Sequence, residues 1–168
     1  MANNCSVEGV VTAGFAPGGN ELRQTWPLLL PGVVGVITGG LVAAAVAHAP
    51  TSATVWLAAY LVLVVGVAQL ALALGQALLT SAAAVDTARI RFQSLLFNLG
   101  SLGVMAGTVG GSFLLVVAGT LLFFGALGAF LPAVHGIRRD YAAQAYRALI
   151  ALLAISALVG LLLSWLSV

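Results

Sequence analysis

Hydrophobic positions in this chain follow neither the helical nor the strand period of a soluble fold; they run on in long blocks separated by short polar intervals. Such a block is the signature of a helix surrounded by hydrocarbon, which needs about 20 apolar residues to cross a bilayer. The first block opens at Trp26-Pro27 and runs to about His48, with an aromatic residue at headgroup level and proline in the first turn. A minimal polar turn at 50–53 leads to the second, at about 54–79, and the interval Thr80 to Gln93 then brings Asp86, Arg89 and Arg91 and ends the passage. From Ser94 to Val134 no charge occurs. As one helix that stretch would be roughly 60 Å long, about twice the hydrocarbon thickness, so it must fold back on itself. Gly110-Gly111-Ser112 is the cluster of breakers near its middle and splits it into helices at about 94–110 and 113–134. A polar loop from His135 follows, in which Asp140 is placed to cap the last helix. That helix starts amphipathic, with Tyr141, Tyr146 and Arg147 at the interface, and its spanning part covers about 147–167, with Trp165 at the far headgroup level. The pattern predicts an all-α integral membrane protein: a tail at 1–25, then five transmembrane helices in a small compact bundle over 26–168.

Composition excludes a soluble alternative, because 62% hydrophobic and 6% charged residues leave too little polar surface to cover a globule. Charge then orients the helices. All six basic residues are arginines, and Arg23, Arg89, Arg91, Arg138, Arg139 and Arg147 fall in the tail, the second loop and the fourth loop, while the first and third loops carry no charge. The positive-inside rule therefore puts the N-terminus in the cytoplasm and the C-terminus outside. Leaving 94–134 unsplit would place Arg138 and Arg139 on the opposite side from Arg89. Arginine without lysine, with an excess of Ala, Gly, Val and Leu, suggests a GC-rich bacterial genome and hence the inner membrane. A dispersed net charge of +2 gives no basic stripe for nucleic acid. Cys5 stands alone, so it offers neither an intrachain disulfide nor a thiolate metal cage. Ala47-His48-Ala49 resembles a signal-peptidase site, but Pro50 constrains the bond to be cut and the preceding segment is long and poor in basic residues; an uncleaved first helix is expected.

The polar side chains expected at membrane depth form one candidate cluster: Gln69, Gln76, Asn98, Ser101 and Thr108. Gln69 and Gln76 are seven apart and share a face with Ala59, Gly66 and Ala73, a small-and-polar seam against which a neighbouring helix can pack. With the third helix starting near 94, Gln76 and Asn98 lie at similar depth and are expected to pair. Such amides read first as interhelical hydrogen bonds, and second as the lining of a solute or ion path. His48 and His135 are the candidate haem ligands, but they fall at opposite ends of the bundle and cannot clamp one haem within a monomer. No carboxylate pair and no Ser-His-acid relay lies within the bilayer, so no enzyme, no cofactor and no metal are expected. Gly35 with Gly39, Gly103 with Gly107, and the further glycines Gly32, Gly40, Gly119, Gly125 and Gly128 suggest grooves for helix contacts, more than five helices would fill internally. The first expectation is thus a non-catalytic accessory or assembly subunit contacting lipid and other membrane subunits or further copies of itself. A small oligomeric transporter or channel with an amide-lined path is the second, and a haem-carrying electron-transfer subunit the third.

Overall fold

The computed structural model describes residues 23–79, 86–134 and 141–166. The tail up to residue 22, the expected cap Asp140, the arginines 138 and 139 and the candidate ligand His135 lie outside these residues. Five helices are long and apolar enough to span a membrane: α1 (Trp26–Val46), α2 (Ser52–Leu79), α3 (Thr87–Gly110), α4 (Phe113–Phe130) and α5 (Tyr141–Leu166). A 3-10 turn, Leu131–Val134, extends α4. The described residues form an all-helical bundle of a multi-pass membrane protein, with α1, α3 and α5 running one way and α2 and α4 the other. Arg23, Arg89, Arg91 and Arg147 sit at one end, the arginine end; the α1–α2 and α3–α4 turns form the uncharged end.

The α3–α4 reversal falls at the glycine pair because Gly111 adopts a left-handed backbone (φ 66°), a conformation that glycine takes without a Cβ penalty. The amide of Ser112 returns to the carbonyl of Gly107 at 2.9 Å and closes the turn. Two helices begin earlier than their apolar blocks. Asp86 accepts from the Ala88 amide at 2.9 Å and starts α3 at Thr87 rather than 94, while α5 starts at Tyr141, the amphipathic turn expected ahead of its spanning part. Hydropathy reports only what lies in hydrocarbon, whereas a capped helix continues outward through a turn or two of arginines whose stems cover apolar surface.

Within α2, residues Leu61–Ala68 are π-helical. The wider turn shifts the register by about one residue, so that Ala58 rather than the expected Ala59 lies buried in line with Gly66 and Ala73. Gly66 in this segment receives Val36 of α1, while Gly32, Gly35 and Gly39 of α1 receive Leu70, Val65 and Val62 of α2. A second glycine seam joins α3 to α4: Gly100, Gly103 and Gly107 lie against Phe123, Gly119 and Val116 so closely that an added Cβ would meet backbone within 2.6–2.8 Å. Gly125 faces Leu96. Most grooves expected to seek outside partners are therefore filled within the chain; a Cβ at Gly40 or Gly128 meets nothing within 4 Å. The close approach of the two hairpins makes this possible, since bare helix backbones pack to a distance at which one residue fills a groove on each side.

α5 is attached differently. Its buried residues, Ala143, Tyr146, Ile150 and Leu153, all lie in its first half, where the Tyr146 ring occupies the space left by Gly75 of α2. Tyr146, five residues from the arginine-end start of α5, is thus 4% exposed and packed against the other helices. Beyond Leu153 no residue of α5 is buried.

Candidate functional site

Two polar arrangements occupy the two halves of the bundle. Near the arginine end, α3 ties α1, α2 and α4 together through Gln93 and Ser94. Pro31 has no N–H to give to the carbonyl of Pro27 four residues earlier, and the Ser94 hydroxyl donates to that carbonyl instead, at 2.7 Å. The same logic holds at the end of α4: the 3-10 turn would ask Pro132 for a donor to the Ala129 carbonyl, and Pro132 has none. Gln93 Nε2 donates there at 2.6 Å, with Arg89 Nη2 at 3.4 Å, while Gln93 Oε1 accepts from Gln76 Nε2 at 2.9 Å.

The expected pairing of Gln76 with Asn98 is not formed. Asn98 Nδ2 instead donates to the Ser94 carbonyl of its own helix at 2.8 Å. The cause is the earlier start of α3: Gln76 lies three residues inside its helix end, about 5 Å, and Asn98 eleven residues inside, about 16 Å. Gln93, which sequence pattern leaves in the loop, is the residue at the right depth. Gln93→Leu is expected to cost about 1–2 kcal/mol, because it strands both the Gln76 amide and the Ala129 carbonyl, and Asn98→Leu much less. Paired denaturation midpoints in mixed detergent check the order; equal losses would refute this account of the knot.

Deeper in the bundle lie two buried polar residues, Gln69 on α2 and Ser101 on α3. Gln69 is completely buried, yet neither its Oε1 nor its Nε2 has a protein partner, and Ser101 Oγ, 1% exposed, has none either. Of the expected polar cluster, then, Gln69 and Ser101 are buried without a protein partner for their side chains, Gln76 joins Gln93, Asn98 turns to its own helix, and Thr108 lies apart toward the uncharged end.

Thr108 belongs to the second arrangement, a partly open cavity of about 700 Å³ lined by α2, α3, α4 and the second half of α5. It exists because α5 is held only by its first half, so its remainder stands off from the other three helices. One wall is aromatic: Trp56 and Tyr60, four residues apart on α2, lie with ring centroids 5.1 Å apart. Phe113 and Phe123 contribute from α4, and Thr108, Thr120 and Ser156 add hydroxyls. None of the described residues lining the cavity is charged. Toward the arginine end it is closed by packed rings, since Phe123 stacks on Phe97 at 4.9 Å and Phe97 meets Phe130 edge-on at 6.4 Å. Sequence pattern did not single out Trp56; its spacing of four from Tyr60 was the available signal for a shared wall.

His48 is exposed in the turn after α1, at the uncharged end. Among the described residues no group of three or more His, Cys, Asp or Glu is placed to hold a metal. Comparison of the chain with protein-family models, curated proteins and solved structures finds no match to any of them.

Proposed function

We propose that the protein is a small solute-translocating membrane protein whose binding chamber is the cavity between α2, α3, α4 and α5. The observation that carries this reading is the chamber itself: about 700 Å³, within the range of small-molecule sites, mostly apolar, with a few convergent hydroxyls. Below it, the phenylalanine stack and the Gln76–Gln93 bridge close the bundle toward the arginine end. A chamber in one half of the bundle and a packed, hydrogen-bonded closure in the other is what one state of an alternating-access device requires, and the buried amide of Gln69 would supply a polar station between the two halves. By the positive-inside rule the arginine end faces the cytoplasm, with the N-terminus inside, which sets the chamber in the outer half of a bacterial inner membrane. The reading involves no bond chemistry and no cofactor. An accessory-subunit role drew its support from glycine grooves awaiting partners, and those grooves are mostly filled within the chain.

Thiol accessibility tests the chamber. In a Cys5→Ser background, Ser156→Cys lines the cavity, whereas Leu158→Cys, at nearly the same depth on α5, is exposed without lining it. A small membrane-impermeant methanethiosulfonate is expected to modify the first from the uncharged end and to leave the second unmodified, because thiolate forms in water and not in hydrocarbon. Equal inertness of both would overturn the reading.

A further inference from the structure

We infer that the second half of α5 is a moving wall, which tilts about its anchor at Tyr146 to close the chamber against the uncharged-end half of α3. For its purpose this rests on the chamber as a solute site; for its geometry it rests on helix faces alone. Side chains on this part of α5 are sorted by size. Ser156, Ala157, Gly160 and Ser164 share one helical face and line the chamber, whereas Ile155, Leu158, Leu162, Trp165 and Leu166 do not line it and are exposed. The other lining residues, Val159, Leu161 and Leu163, flank the small face. Against lipid or a permanent void a small face gains nothing; its use is to let another helix approach closely. A second small face lines the same chamber, Val104, Gly107, Thr108 and Gly111 of α3, which runs parallel to α5. The two do not touch, since a Cβ built at Gly160 meets nothing within 4 Å. The attachment of α5 allows the movement. Its buried residues all precede Ala154, and the Tyr146 ring fills the notch at Gly75. A tilt of about 10° about Tyr146 carries Leu162, sixteen residues or about 24 Å along the axis, through about 4 Å, one van der Waals layer. Ile150, about 6 Å from the pivot, moves by only about 1 Å and keeps its packing. The closed state gains the dispersion contacts that the gap withholds, and the Thr108 and Ser156 hydroxyls have carbonyls of their own helices to bond when water leaves.

Spin-label distances on the full chain, in a Cys5→Ser background and in nanodiscs of one phospholipid, test the movement. Val109→Cys with Leu162→Cys, both exposed, spans the uncharged-end halves of α3 and α5, and Phe92→Cys with Gln144→Cys spans the anchored end. Two distances differing by about 4 Å are expected for the first pair and one distance for the second. Gly160→Leu, which the open form accommodates, should abolish the shorter distance without lowering the melting temperature. Leu158→Ala, on the opposite face, should leave both distances in place. A single distance for the first pair, as a lipid chain lodged in the chamber would impose, overturns the inference, and so does persistence of the shorter distance in Gly160→Leu. The solute reading is judged separately by the thiol reagent. Two distances with Ser156→Cys inert would keep the moving wall and remove the solute site; one distance with Ser156→Cys modified would do the reverse.

Discussion

Gly119→Leu is expected to separate α3 from α4 and to destabilise the fold by about 3 kcal/mol or more, the upper range for overpacking a tight interface. A Cβ built at Gly119 lies 2.5 Å from the Val104 amide nitrogen, 2.7 Å from the Gly103 carbonyl carbon and 2.8 Å from the Gly100 carbonyl oxygen. All three are backbone, so no rotamer change relieves the clash and one helix must move bodily. The movement would also undo the contacts of Gly100 and Gly107 along the same seam, and with them the Phe97–Phe123 stack that closes the chamber. Gly128→Leu on the same helix is the control, because a Cβ there meets nothing within 4 Å. Unfolding midpoints in mixed detergent should fall sharply for the first and stay near wild type for the second. Should Gly128→Leu instead leave stability intact and reduce the particle's size in native-like lipid, the outward face of α4 would be a subunit contact and the accessory reading would regain its footing.

The opposite sign is expected for Gln69→Leu, which should stabilise the bundle by about 1–3 kcal/mol while impairing solute passage. Gln69 is completely buried with both amide atoms lacking a protein partner, and an amide removed from water without compensation costs about that much. Leucine of similar volume keeps the packing with Leu72 and Ala73 and removes the uncompensated group. Retaining such a cost is intelligible where the amide meets a passing solute. The measurement is a melting curve together with uptake into proteoliposomes. A loss of stability on substitution would mean that Gln69 holds helices together, and would withdraw it from the path.

Hydropathy made the fold legible because the bilayer imposes one rule on every spanning segment: its backbone must satisfy itself, so an apolar block long enough to cross becomes a helix. The Gly110-Gly111-Ser112 reversal was readable for a local reason, since the left-handed turn at Gly111 is a property of one residue. The candidate site was legible only in part. Gln69, Gln76, Ser101 and Thr108 could be picked out as polar residues in apolar surroundings, but their partners depended on registers between helices. Seven residues of unrecognised helix, from Thr87 to Gln93, were enough to exchange Gln93 for Asn98 as the partner of Gln76.

By itself, then, the sequence determined the number of membrane passages, where the chain reverses, and that its charge gathers at alternate loops, since each depends on one segment and its solvent. Only the tertiary structure decided that Pro27 and Ala129 carbonyls, deprived of donors by prolines, recruit Ser94 and Gln93. It alone decided that most of the groove-forming glycines serve contacts within the chain, and that α5, anchored through Tyr146 and with no buried residue beyond Leu153, leaves a chamber beside Trp56 and Tyr60. These features depend on distances between helices far apart in sequence, set by which small residue faces which large one, and a one-residue shift such as the π segment of α2 is enough to change them.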